Sequence, residues 1–121
     1  MAASAEFQTY LADQFALFGS VQIRGMFGGL GIFRDGIMFG LVADEVVYLK
    51  SGLQNIEDFE REGMCPFTYE GKNKPVQMSY HQLPDFVLED PEALSNWAHK
   101  AFAVAVQAKA KKPARKKKRK P

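Results

Sequence analysis

The 121 residues, 46% of them hydrophobic and ten of them Phe, suffice for one packed core, leave no room for two, and exclude a globally disordered chain. A single cysteine, Cys65, can form no intramolecular disulfide and completes no zinc set, while Met1 to Phe18 lacks a basic leader and no stretch is apolar for long enough to cross a bilayer; this predicts a reduced, cytoplasmic protein without metal, cofactor or membrane. The net charge of +2 conceals a division: residues 1–108 carry 7 Lys/Arg against all 14 Asp/Glu, a net of −7, and residues 109–121 carry the other 9 basic residues and no acid.

Taken in order, Phe7, Tyr10, Leu11, Phe15 and Phe18 follow helical spacing, with Ser4 placed to cap the helix and Gly19 to end it. Short apolar runs cut by glycine come next: Val21 to Phe27, Gly31 to Arg34, Ile37 to Ala43 and Val46 to Lys50, read as strands of an antiparallel meander. Asp35-Gly36 is the pair a type I′ turn prefers, because both central positions need positive φ. Asp44-Glu45 occupies the next such position with residues less tolerant of that conformation.

Asn55 is expected to cap a short helix carrying Ile56 and Phe59 inward, with Gly63 at its end. Pro66 to Glu70 and Val76 to Tyr80 flank the polar stretch from Gly71 to Pro75 and predict a second hairpin; Pro84 then ends strand structure. Asp90-Pro91 reads as an N-cap followed by proline at the first helical position. Leu94, Trp97, Ala98, Ala101, Phe102 and Ala105 form one apolar stripe of a long C-terminal helix. That helix is expected to fray through Ala108 to Lys112, before Pro113. The expected organisation is therefore an α+β domain over 1–108 and a disordered Lys/Arg-rich tail over 109–121.

The run from Arg24 to Phe39 (RGMFGGLGIFRDGIMF) resembles the signature of the TfoX (Sxy) N-terminal domain family, regulators of bacterial competence. The likeness continues through Tyr48-Leu49-Lys50, Pro66-Phe67-Thr68-Tyr69, Met78-Ser79-Tyr80, Leu83-Pro84 and the helical stretch Ala93-Leu94-Ser95-Asn96-Trp97-Ala98. The resemblance implies a small α+β domain and a regulator of DNA-uptake genes acting alongside the cyclic-AMP receptor protein, hence a transcription-regulator partner. It brings no catalytic residue. Full-length regulators of this kind carry a second, C-terminal domain, whereas this chain ends in its basic tail.

Read physically, Gly25, Gly28, Gly29 and Gly31 fit neither the dinucleotide fingerprint nor the Walker spacing. They point to tight turns or close backbone packing. An interaction loop built from Arg24, Gly28, Gly29 and Arg34 is the alternative, with the two arginines forming a fork for phosphate or carboxylate. Against it stands the plainer possibility that both arginines meet solvent or nearby acids. Met26, Phe27, Phe33, Met38 and Phe39 are either core or a partner surface. His81 and His99 lack the companions a metal site needs, and Cys65 lacks an activating neighbourhood.

The tail is the clearest functional feature. Arg115, Lys116, Lys117, Lys118, Arg119 and Lys120 can displace counterions from DNA without fixed structure, weakly and without sequence preference; folding back on the acidic body is the alternative. The leading expectation is a non-catalytic regulator whose body makes a protein contact and whose tail tethers it to DNA. Two rivals stand beside it. One is a small enzyme or ligand-binding domain with a pocket between sheet and C-terminal helix, lined by Arg24, Tyr48, Tyr69, Tyr80 or His81. The other is a structural homodimer joined through strand edges.

Overall fold

The computed structural model describes residues 5–26 and 28–119, the side chains as far as Ala110. Along the chain lie helix α1 (Ala5–Gln14), strands β1 (Gln22–Met26), β2 (Gly29–Arg34), β3 (Ile37–Ala43) and β4 (Val46–Lys50), helix α2 (Ile56–Arg61), strands β5 (Pro66–Glu70) and β6 (Pro75–Gln82), and helices α3 (Asp85–Leu88) and α4 (Pro91–Arg119). This is the expected α+β order, with α3 added. Pro84 ends the strand as anticipated, and its carbonyl then accepts from Val87 and Leu88 N–H, which closes one further helical turn.

All six strands form one sheet in the order β1-β2-β3-β4-β6-β5, every neighbouring pair antiparallel. The second hairpin joins the meander through β6, with Leu49 opposite His81 and Lys50 opposite Tyr80. The β2–β3 and β3–β4 turns have the I′ signature. Asp35 and Gly36 lie at φ +52° and +78°, and Asp44 and Glu45 at +54° and +63°. The second pair adopts this geometry without glycine, at a cost of about 1–2 kcal/mol for each L-residue in that region.

Two ends differ from expectation. Helix α1 stops at Gln14 rather than near Phe18, because Phe15 to Phe18 leave the helix as a turn that drives both rings into the core. Gly19, at φ +138°, then swings the chain towards β1. Ser4 and Phe27 lie outside the described residues. At the other end, Lys109 and Ala110 continue α4 instead of fraying.

Capping follows chemistry at α4 but not at α2. Asp90 Oδ1 accepts from Glu92 and Ala93 N–H, satisfying donors a helix start leaves open. Asn55 makes no side-chain cap bond to α2. It braces the preceding loop instead: Oδ1 accepts from Gly52 N–H and Nδ2 donates to the Lys50 carbonyl. Helix α2 is tied to α4 by Asp58, whose carboxylate takes Lys100 Nζ at 2.9 Å and Arg61 at 2.7 Å. Burial pushes the Asp58 carboxyl up, but those two hydrogen-bonded cations outweigh it and hold the group below its ordinary value.

Residues opposite one another on neighbouring strands share a face of the sheet. The rows Leu30–Val42–Val47 and Ile32–Gly40–Leu49–His81 face the helices. There Phe15, Phe18, Phe39 and Phe102 pack edge to face or tilted, with ring centroids 5.2–6.3 Å apart. Leu94, Ala98, Ala101 and Ala105 bring α4 down onto this layer. Each fully buried Phe or Leu there contributes about 1.5–3 kcal/mol by leaving water.

Candidate interaction site

The glycine segment is structural in two different ways. Gly28, at φ +77°, turns β1 into β2, a conformation glycine adopts without steric cost. Gly29 has no room for a side chain: a Cβ there would lie 2.2 Å from the Val42 carbonyl oxygen. The chain passes from β1 into another strand, so no helix N-terminus is available to receive an anion here.

Nor do the two arginines converge. Arg24 opposes Gly31 on the face away from the helices and lays its guanidinium 4.6 Å from the Phe33 ring centre. Arg34 lies on the helix side, 4.5 Å from the Phe18 ring and 5.3 Å from that of Phe102. The expected fork is thus split across the thickness of the sheet. Neither arginine is simply solvated; both sit over aromatic faces, an attraction of about 0.5–2 kcal/mol.

The pocket expected between sheet and α4 is filled by the layer of phenylalanine rings and α4 alanines. Of its expected lining, Tyr48 and Tyr80 lie on the opposite face with Arg24, while His81 faces the helices. His81 takes part in a feature that the residue pattern did not announce: its Nδ1 lies 2.8 Å from Ser51 Oγ. The pair borders a shallow depression with Gly52, Ile56 and Ser79, and the Phe59 ring tilts against the imidazole at 5.3 Å. Burial holds His81 below its ordinary pKa, partly countered by Glu60. Ser51 is only 6% exposed, and the adjacent Gly52 N–H already donates to Asn55. The pair therefore joins the end of β4 to β6, with its hydroxyl turned away from solvent. The two residues stand 30 positions apart and meet only through the β4–β6 pairing.

The face away from the helices is the more distinctive surface. The row Arg24–Gly31–Leu41–Tyr48–Gln82 crosses five strands, flanked by Phe33 beside Met38 and by Lys50 beside Tyr80. Leu41 and Tyr80 are its floor, 7% and 6% exposed, and burial pushes the Tyr80 hydroxyl up to about 12. Over them, Tyr48 meets Phe67 edge-on at 5.0 Å, and Phe67 stacks with Tyr69 at 6.3 Å. Lys50 Nζ stands 5.0 Å from the Tyr80 ring centre. Of the five residues held open as core or partner surface, Phe39 is core, and Met26, Phe33 and Met38 are half-buried on this outer face.

The basic residues Arg115, Lys116, Lys117, Lys118, Arg119 and Lys120 lie outside the described side chains, and the expected disorder of the tail falls there with them. Among the described residues, no helix is long and apolar enough to cross a membrane.

Residues 13–105 match the model of the TfoX N-terminal domain, from the end of α1 to the buried part of α4. The chain is also similar to the DNA transformation protein TfoX1 of Aliivibrio fischeri, 29% identical over 84 residues. That match covers 69% of this chain and 40% of the relative, so the chain spans less than half the length of the protein it resembles. The matched segment contains the glycine hairpin, all six strands and the α4 stripe, and on that match the chain belongs to the TfoX N-terminal domain family.

Proposed function

We propose that this chain is a cytoplasmic, non-catalytic regulator in which the folded body contacts a transcription-regulating protein and the basic tail holds the complex near DNA. The observation that carries this reading is the charge division: −7 over residues 1–108 and nine basic residues without an acid over 109–121. A polyanion meets attraction at one end of the chain and net repulsion over the rest. Similarity to a DNA transformation protein supports a setting in which DNA is present. The acidic body suits a protein contact better than contact with duplex phosphates.

The test is a mobility-shift titration of duplex DNA at two salt concentrations, using the full chain and residues 1–108. If the six-cation run neutralises six phosphates, affinity falls about a thousandfold between about 50 and 200 mM salt. Binding is expected for the full chain alone, with this steep salt dependence. Equal retention by residues 1–108 would place DNA contact on the body and overturn tethering through the tail.

A further inference from the structure

We propose that the helix-free face of the sheet is a stacking platform for single-stranded nucleic acid, distinct from the tail. Three features of the face support this. First, its upper layer is aromatic: Phe33, Tyr48 and Phe67 are half-buried, and Tyr69 is 46% exposed at the outer strand β5. Phe67 and Tyr69 alternate along one strand with their planes only 25° apart. Rings presented in this way accept base planes of any sequence.

Second, the charges are sorted. Among the described residues, none of the strand positions in the rows of this face is Asp or Glu, although the body carries 14 acids. The acids occupy helices, turns and, at Glu70, the edge strand beside Tyr69. Asp44 in the β3–β4 turn is near enough to join burial in raising the Tyr48 hydroxyl. Third, the cations on the face sit over rings: Arg24 over Phe33 and Lys50 over Tyr80. A strand laid across the face from β1 would meet Arg24 over Phe33 first and Lys50 on β4 next, with Phe67 and Tyr69 carrying the rings on to the β5 edge; cations and rings on one surface are the combination that binds unpaired bases and their phosphates together. Duplex DNA hides its base planes and gains nothing from this layer. A second copy packed face to face would bring the same cations onto the face rather than the anions they complement.

The experiment is fluorescence-anisotropy titration of labelled single-stranded oligothymidine and oligouridine, and of a labelled duplex, with the full chain. Tyr69→Ala is expected to weaken single-strand binding about five- to a hundredfold, to leave duplex binding unchanged, and to be rescued by Tyr69→Phe. Arg24→Ala should weaken single-strand binding and lower its log–log salt slope by about 0.7. The DNA and RNA probes distinguish the two sources of the same chemistry. Single-strand affinity unaltered by both Tyr69→Ala and Arg24→Ala would overturn the proposal. So would a concentration-dependent dimer that Tyr69→Ala dissociates, because the face would then belong to a second copy. Loss of duplex binding on neutralising the tail, with single-strand preference retained, separates this surface from the tail.

Discussion

Gly29→Ala isolates the physical demand that the glycine segment meets. The new methyl carbon would sit 2.2 Å from the Val42 carbonyl oxygen and 3.3 Å from its carbon, whereas non-bonded carbons settle at about 3.5–4.0 Å. The obstacle is main chain in the Leu30–Val42 pairing, so no rotamer change relieves it. Separation by roughly 1 Å would carry a hydrogen bond of about 2.9 Å beyond useful range. Two such ladder bonds at about 1 kcal/mol each, with packing strain of about 1–2 kcal/mol, give an expected loss of about 3–4 kcal/mol. That is a large part of the roughly 5–15 kcal/mol a domain possesses. Gly25→Ala is the control, since its nearest neighbour is the Gly29 oxygen at 4.0 Å; removing a strand glycine there should stabilise by about 0.5 kcal/mol. Urea unfolding followed by far-UV circular dichroism reads both. Coincident curves for Gly29→Ala and the parent chain would refute the reasoning.

Glu45→Gly removes an L-residue from φ +63°; relief of about 1–2 kcal/mol, less glycine's entropy cost of about 0.5–1 kcal/mol, predicts a net gain of about 0.5–1 kcal/mol in chemical denaturation. Asp58→Asn unties α2 from α4 and, with partners this exposed, should cost about 0.5–1 kcal/mol at neutral pH. Because the Asp58 pKa is depressed in the fold, that contribution is present above the unfolded value of about 3.9 and disappears as pH falls through the folded one; a gap that persists unchanged in acid would contradict the assignment. His81 also has a depressed folded pKa, caused first by burial. The unfolded chain binds its proton more tightly, so stability should be full above about pH 6.5 and decline as pH falls through the folded value. His81→Gln should remove that slope from stability measured across this range.

Much of the architecture was legible because local chemistry and tertiary structure agree. Asp35-Gly36 announces a I′ turn and makes one. Asp90-Pro91 announces a helix start, and the Asp90 carboxylate meets the open N–H groups. Local pattern and fold part company where a side chain found a competing partner. Asn55 suits an N-cap, but two backbone groups of the loop before it claim both ends of its amide. Phe15 and Phe18 continue a helical period, yet reaching Phe39 and Phe102 takes them out of the helix. For Asn55 a competing local hydrogen-bond pattern decided, and for Phe15 and Phe18 tertiary contact did.

The sites were harder to read than the elements because a strand's sequence does not say which of its faces will be covered. Ile37 to Ala43 is apolar at nearly every position, so alternation alone does not distinguish Phe39, packed among helices, from Met38 and Leu41 on the other side. Register resolves it. The row from Arg24 to Gln82 gathers residues from the meander and from the β5–β6 hairpin, and the bulge after Ile32 shifts the pairing so that Phe33 and Met38 share the outer face. Charge behaves in the same way. The division near Ala108 is linear and visible in the chain, whereas the exclusion of acids from the outer rows exists only once the strands are paired. A basic tail and an acid-free aromatic face are therefore separable devices, one written in composition and the other created by folding, and substitutions at Tyr69 and in the tail should act on different nucleic-acid probes.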